Sequence, residues 1–522
     1  MSASTTGTPD SASPPLGIAQ PELGNASSSY GQVLKSSVLI GSSQLASVAL
    51  GILRTKILAV LIGPAGLGVI GLYMSITNTV GALSGMGIST SGVREIAEAG
   101  ATNDQVRISR TIKTLRRTAL VLGVLGSLLL LVLCRPLSLI TFGSTQQAGA
   151  VALLSLTVLF GAVSGGQNAL VQGLRRIRDL AALSLLGALL STVCSLPLVY
   201  LFGEKGIVPF LLVLSIMTIL PSWWYARRVR VDEVALSWRE TWHEARGLLR
   251  LGFVFMVSGL LAAGTAYVSR VVIRDKLGVD ATGIYFAAWT LAGFYVRFIL
   301  QAMAADFYPR LTAAAKDHVK CSRLVNEQAE VALLLAVPGI LATLAFAPQV
   351  IQLFYSAKFG PAVEVLRWQI LGVLLQVASL PMGFVIMAQG RARLFMTFDV
   401  VVNAASLSFL WLGVHFWGLP GTGIAFLAQY GLIWLADYAI VRRLIDFRWS
   451  AANVRFALVL VPAVTAAFLS QWVLSALWST IVSASITLFV AIYSLRTLLA
   501  VVGADRVSRL VLQVKTWLGW TP

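Results

Sequence analysis

Charge is what this chain has least of. Only 12% of its 522 residues are Asp, Glu, Lys or Arg, and the acids number 22 against 40 bases. Soluble domains carry roughly twice that charged share, so a water-exposed globule is excluded. Cysteine is scarce too, and Cys134, Cys194 and Cys321 stand too far apart in sequence for a metal or redox motif. The scattered histidines His243, His318 and His415 make no metal cluster. A glycine-rich nucleotide cradle is missing, which argues against pumping by direct ATP hydrolysis. What abounds is apolar surface: 57% of positions are hydrophobic and the mean hydropathy is +0.81. It comes in runs of the ~20 residues that span a ~30 Å hydrocarbon layer. This is an integral membrane protein.

Residues 1–33 lack basic residues and any apolar run, so they do not read as a secretory signal. Rich in Ser, Thr, Gly, Pro and Ala, they are expected to form a disordered cytoplasmic tail. Beyond them, fourteen candidate transmembrane helices begin near Leu34, Leu67, Thr118, Ala148, Leu180, Ile207, Leu251, Ala281, Val331, Val363, Leu394, Pro420, Val454 and Leu474. A sheet barrel would show ~10-residue alternation instead. The expected fold is an all-α polytopic membrane protein.

An inner amino terminus places 30 of the 40 basic residues in cytoplasmic segments and only Arg135, Lys205, Lys276 and Lys358 outside. That bias follows the positive-inside rule and predicts both termini on the cytoplasmic side. It also accounts for the net charge of +18 without nucleic acid. Two basic-side segments, 229–250 and 505–522, carry apolar residues at helical spacing. They are expected to be an amphipathic linker and an amphipathic C-terminal tail on the anionic inner leaflet.

An internal repeat appears at an offset of 215 residues. Gly63 and Gly68 match Gly278 and Gly283, and Arg227-Arg228 matches Arg442-Arg443. Arg94 falls beside Arg310, and Gln172-Gly173 matches Gln389-Gly390 at an offset of 217. Six helices per unit make the repeat parallel: an N-lobe over 34–228, a C-lobe over 251–444, and an extra helix pair over 451–500. Facing lobes of this kind hold substrate at the repeat interface.

Six basic residues fall inside the expected spans: Arg54, Lys56, Arg270, Arg274, Arg297 and Arg367. A central Arg or Lys costs about 2.5–3.5 kcal/mol on insertion scales, so such residues pair, snorkel or line water. Arg274, which precedes Asp275, and Arg367 are expected to snorkel or pair locally. Arg54, Arg270 and Arg297 are expected to face the cavity, with Lys56, Arg274, Tyr267 and Asn78 as further substrate-binding candidates. Asp399 and Asp437 are the embedded acids; a salt bridge to Arg393 and Arg442 is the first reading and ion coupling the second. A cavity richer in bases than acids favours an anion, and the forked guanidinium donors suit a phosphate.

The stretches LRTKILAVLIGPAGLGVIGLYMSI, SGVREIAEA and QGLRRIRDLAALSLLGALLS resemble bacterial polysaccharide-biosynthesis flippases. These are the O-antigen and lipid III translocases (Wzx-like) of the multidrug/oligosaccharidyl-lipid/polysaccharide exporter superfamily. The likeness covers about residues 34–444; a fourteen-helix count is closer to the lipid II flippases of the same superfamily. The resemblance implies alternating access and transfer of undecaprenyl-diphosphate-linked oligosaccharide, with the basic cavity residues carried over at Arg54 and Arg270. It implies no catalysis and no cofactor, a proton or sodium gradient as a coupling source, and polymerase and chain-length proteins as partners. A drug/cation antiporter of the same superfamily would want acids in the cavity. A membrane polymerase or glycosyltransferase would want a large outer loop, and none here exceeds about 15 residues.

Overall fold

The computed structural model describes residues 26–502 apart from 103, 230, 233 and 304–306. The side chains of 26–42, 45, 295, 297–299, 301–302, 392 and 501–502 also lie outside the description. Residues 1–25 of the expected tail, the stretch 505–522 and the Arg297 side chain are thus outside the described residues.

The described chain is helical, without strands. Its first half contains α1 (Ala26–Ser84), α2 (Ile88–Ala101), α3 (Gln105–Val132), α4 (Cys134–Phe142), α5 (Ala148–Leu153), α6 (Ser155–Gly173), α7 (Ile177–Phe202) and α8 (Ile207–Arg227). Then come α9 (Trp238–Leu277), α10 (Val279–Ala302), α11 (Tyr308–Ala313), α12 (His318–Ala345), α13 (Ala347–Phe354) and α14 (Ala362–Ala388). Four more close the order: α15 (Ala392–Trp417), α16 (Pro420–Ile445), α17 (Ala451–Val473) and α18 (Ala476–Val502).

Each of the fourteen expected helices has a counterpart. α1 supplies two, broken at Gly63 (φ 62°) just before Pro64; α5 with α6 supplies one; α2, α4, α11 and α13 are short connectors. Among the described residues eleven stretches are long and apolar enough to cross a membrane, and two of them, Ala46–Ser84 and Ile177–Arg227, each hold two helices. α1 starts at Ala26, within the segment read as a tail.

The repeat is visible in the backbone. α7 and α15 begin and end 215 residues apart. Gly63 and Gly278 both take positive φ, as do Gly203 (φ 57°, ψ −133°) and Gly418 (φ 61°, ψ −133°). Only a residue without Cβ adopts that last conformation at no steric cost, which explains glycine at both positions. One alignment shifts: Arg175 (φ 53°) is the partner of Gly390 (φ 67°), and Arg176 of Arg391, so the offset there is 215 and not 217. The two lobes meet at the end that carries the 63–68 and 278–283 turns, called the turn end here. The opposite end, where the arginine-rich segments lie, is the basic end.

The 229–250 segment differs from expectation. Ser237 caps α9 in a capping box with Glu240, so the segment has no separate helix; its latter part is the first turns of the 40-residue α9. Before Ser237 the chain runs along α3 and is held there. Lys113 Nζ donates to the Val234 carbonyl (2.7 Å), and Arg117 donates to the Leu236 carbonyl and Thr241 Oγ1 (2.8 Å each). Arg110 pairs with Glu244 at 2.9 Å, Thr114 donates to Glu244 at 2.7 Å, and Arg117 lies over the Trp238 ring. The physical reason is supply: α3 presents a row of cations at the basic end, and the segment offers backbone carbonyls together with the carboxylates of Glu240 and Glu244.

The extra pair docks on the C-lobe, α18 against α12 and α17 against both. Arg367 donates to Gln471 (2.6 Å), which donates in turn to Ser483 (2.9 Å), so Arg367 is paired as expected. Asn326 of α12 holds the joint into α17. Its amide donates to the Ser322 and Arg448 carbonyls, and its oxygen accepts from the Ser450 N–H and from Asn453. Asn326 is buried, so Asn326→Ala leaves several of these groups unpaired. A loss of roughly 2–4 kcal/mol is expected, read as a fall in Tm by thermal unfolding in detergent; an unchanged Tm would show the joint is held elsewhere.

Candidate functional site

Four of the six intramembrane cations fall into two sets; Arg367 binds the extra pair, and the Arg297 side chain lies outside the described residues. At the turn end, three contacts bridge the lobes. Lys56 Nζ donates to the Gln352 carbonyl of α13, Arg274 donates to the Ile140 carbonyl of α4 (2.8 Å), and Tyr267 shares a 2.7 Å hydrogen bond with Thr141. Since α4 and α13 occupy equivalent places in the repeat, each lobe's leading helix reaches the other lobe's connector. Arg274 also pairs with Asp275 at 2.7 Å. Between these contacts Gly68 abuts the Val279 carbonyl and Gly283 abuts the Pro64 carbonyl, leaving no room for a Cβ at either. Lys56, Tyr267 and Arg274 therefore fasten the lobes and do not converge on Arg270.

Arg54 and Arg270 form the second set, one in each lobe. Arg54 of α1 donates to Ser191 of α7 at 3.1 Å. Arg270 of α9 donates to its own helix at the Ala266 carbonyl (3.2 Å), its Nε is buried without a partner, and its guanidinium lies 5.8 Å from the Phe286 ring centre. Among the described residues neither has a carboxylate partner. A half-buried guanidinium without an anion keeps strong unmet demand for one. Asn78 is exposed.

The embedded acids do not pair as first read. Asp399 accepts from Ser258 of α9 (2.8 Å) and from Asn403 (3.1 Å), and Asp437 is buried with Oδ1 unpartnered, facing Gly383 of α14. At about 100° per residue, Arg442 points ~140° away from Asp437 and Arg393 ~120° away from Asp399. Both arginines are exposed. Depth matched; azimuth did not.

Sequence reasoning missed a ring of aromatics beside Arg270. Tyr285 and Trp289 of α10 lie 5.9 Å apart, Trp289 meets Phe426 of α16 edge-on at 5.3 Å, and Phe426 contacts Tyr430 at 4.7 Å. Their i, i+4 spacing on two helices was the available signal.

Two facing six-helix lobes give the chain the fold shared by solved transporters of the multidrug/oligosaccharidyl-lipid/polysaccharide exporter type. The fold is similar to an inward-facing multidrug resistance MATE family transporter of the MOP superfamily (TM-score 0.65, 17% identity, 77% of this chain and 94% of that one). It is also similar to the lipid II flippase MurJ in an inward closed conformation (TM-score 0.64, 14% identity, 89% and 99%). Residues 57–364 match the family model described as polysaccharide biosynthesis protein, and the chain belongs to that family. By sequence it is 23% identical over 416 residues to the lipid III flippase of Escherichia coli (strain K12), covering 78% of this chain and 95% of that protein.

Proposed function

We propose that this protein is a flippase for an undecaprenyl-diphosphate-linked oligosaccharide, an O-antigen or exopolysaccharide repeat unit, in the bacterial inner membrane. The observation that carries the reading is one carboxylate-free intramembrane arginine in each lobe, Arg54 and Arg270. A diphosphate has the oxygens such forks take in pairs, while a cationic drug would be repelled by them. The relatives named lipid II and lipid III flippases support the substrate class.

In this reading the basic end and both termini are cytoplasmic and the turn end faces outward. The headgroup enters between the lobes while the prenyl tail stays in lipid. Its diphosphate replaces water with Arg54 and Arg270, and Asn78 lines the path. The lobes then part at the turn end, breaking the contacts of Lys56, Arg274 and Tyr267, and release it to the outer leaflet. No bond is made or broken, so the protein is not an enzyme. Asp399 and Asp437 are the carriers for a proton or sodium gradient, and a polymerase and chain-length proteins take up the product.

The test is a leaflet-specific assay of the lipid-linked oligosaccharide in cells lacking this protein, complemented with Arg54→Ala or Arg270→Ala. Each variant is expected to lower externalisation at least tenfold, with substrate accumulating in the inner leaflet. Normal externalisation with both arginines removed would sink the proposal.

A further inference from the structure

The C-lobe helices close on themselves. α10 packs on α9 and α14, α16 packs on α14 and α15, and α15 packs on α9. α9, α10, α14, α16 and α15 thus close a ring of five in which α10 and α16 flank α14, and Trp289 of α10 meets Phe426 of α16 beside it. Trp289 is 37% exposed, while its neighbours Tyr285 and Phe426 are buried.

Depth places these groups in order. An apolar layer of Ile273, Tyr285, Leu410, Val414 and Ala425 seals the ring toward the turn end. Arg270 is seven residues from the end of α9, about 10 Å down at 1.5 Å per residue. Trp289 and Tyr430 are each ten residues from the turn end of their helices, about 15 Å down. At the same level Ser406 donates to Gln429 at 2.9 Å. This part of the lobe therefore offers a cation without a carboxylate partner and, about 5 Å further from the turn end, aromatic rings beside an amide and a hydroxyl.

We infer that this part of the lobe is the subsite for the sugar rings of the lipid-linked glycan, with Trp289 and Tyr430 as the stacking faces and Arg270 holding the diphosphate beside them. The inference rests on the flippase reading and assigns a specificity role to residues that reading leaves unused. A pyranose presents a face of polarised C–H bonds, which suits the electron-rich face of an aromatic ring. Its hydroxyls take the hydrogen bonds of Gln429 and Ser406. Pockets of this make-up, largely aromatic with a few placed polar groups, are what small polar ligands use. A bare prenyl diphosphate would fill only the Arg270 end.

The experiment compares two probes on the purified full chain in nanodiscs: farnesyl diphosphate, and farnesyl diphosphate bearing N-acetylglucosamine. The sugar-bearing probe is expected to bind more tightly. Trp289→Leu should weaken it on the order of tenfold, the size of one lost stacking contact, and leave farnesyl diphosphate unchanged. Trp289→Phe should retain most of the affinity, which separates stacking from misfolding. Arg270→Ala should weaken both probes. Equal binding of the two probes by the unaltered chain, or equal losses on Trp289→Leu, would overturn the subsite. Arg270→Ala without effect on farnesyl diphosphate would instead defeat the diphosphate reading, leaving the sugar-dependent difference to be judged by itself.

Discussion

Gly283→Ala is expected to open the turn end. The added methyl would be driven into the Pro64 carbonyl oxygen, which is backbone and cannot step aside. Forced overlap of this kind costs about 1–3 kcal/mol in a packed interior, and here it is charged only to the state in which the lobes touch. A penalty near 2 kcal/mol shifts a two-state equilibrium by roughly thirtyfold. Thr141, fully buried beneath its bond to Tyr267, reports the change. In a background with Cys134, Cys194 and Cys321 replaced by Ser, Thr141→Cys should react slowly with an impermeant thiol reagent and tens of times faster once Gly283→Ala is added. Equal labelling rates would mean that the lobes do not separate at these turns.

The second large effect concerns the linker. Arg110→Ala with Arg117→Ala removes the Glu244 ion pair, two hydrogen bonds to the linker and the stack on Trp238. At about 1 kcal/mol for each bond, the segment should open on the order of a hundred times more often. Trypsin cleavage that depends on transient opening follows that population. The double variant should be nicked between Arg228 and Arg239 about a hundredfold faster, with the remaining helices intact. Unchanged cleavage would show that α3 does not hold this stretch.

Much of this fold was legible in the sequence because a bilayer leaves so few choices. A spanning segment must satisfy its backbone internally, so long apolar runs are helices, and each of the fourteen found its place. The repeat was legible where glycine was compulsory, at Gly63 and Gly278. It was misaligned where one lobe tolerates Arg175 at a positive φ that the other gives to Gly390. The linker was misread because helical spacing in Trp238, Trp242 and Ala245 says nothing about whether that helix continues into the next one. The acids show the same limit: Asp437 and Arg442 share a depth, but only helix rotation and packing on Gly383 decide what faces what. Tyr285, Trp289, Phe426 and Tyr430 passed as ordinary apolar residues, because aromatic spacing within a helix is silent about which helix stands opposite.

One helix touches nearly everything that moves. α9 extends about 60 Å at 1.5 Å per residue, roughly double the hydrocarbon thickness. Its foot is pinned to α3 through Glu244, and its shoulder meets α1 where Thr79 donates to the Ala263 carbonyl. Its waist is tied to α15 through Ser258, and its head latches onto α4 through Tyr267 and Arg274. Such a rod is a lever: torque applied to its foot at the basic end reaches the turn-end latches along one continuous helix.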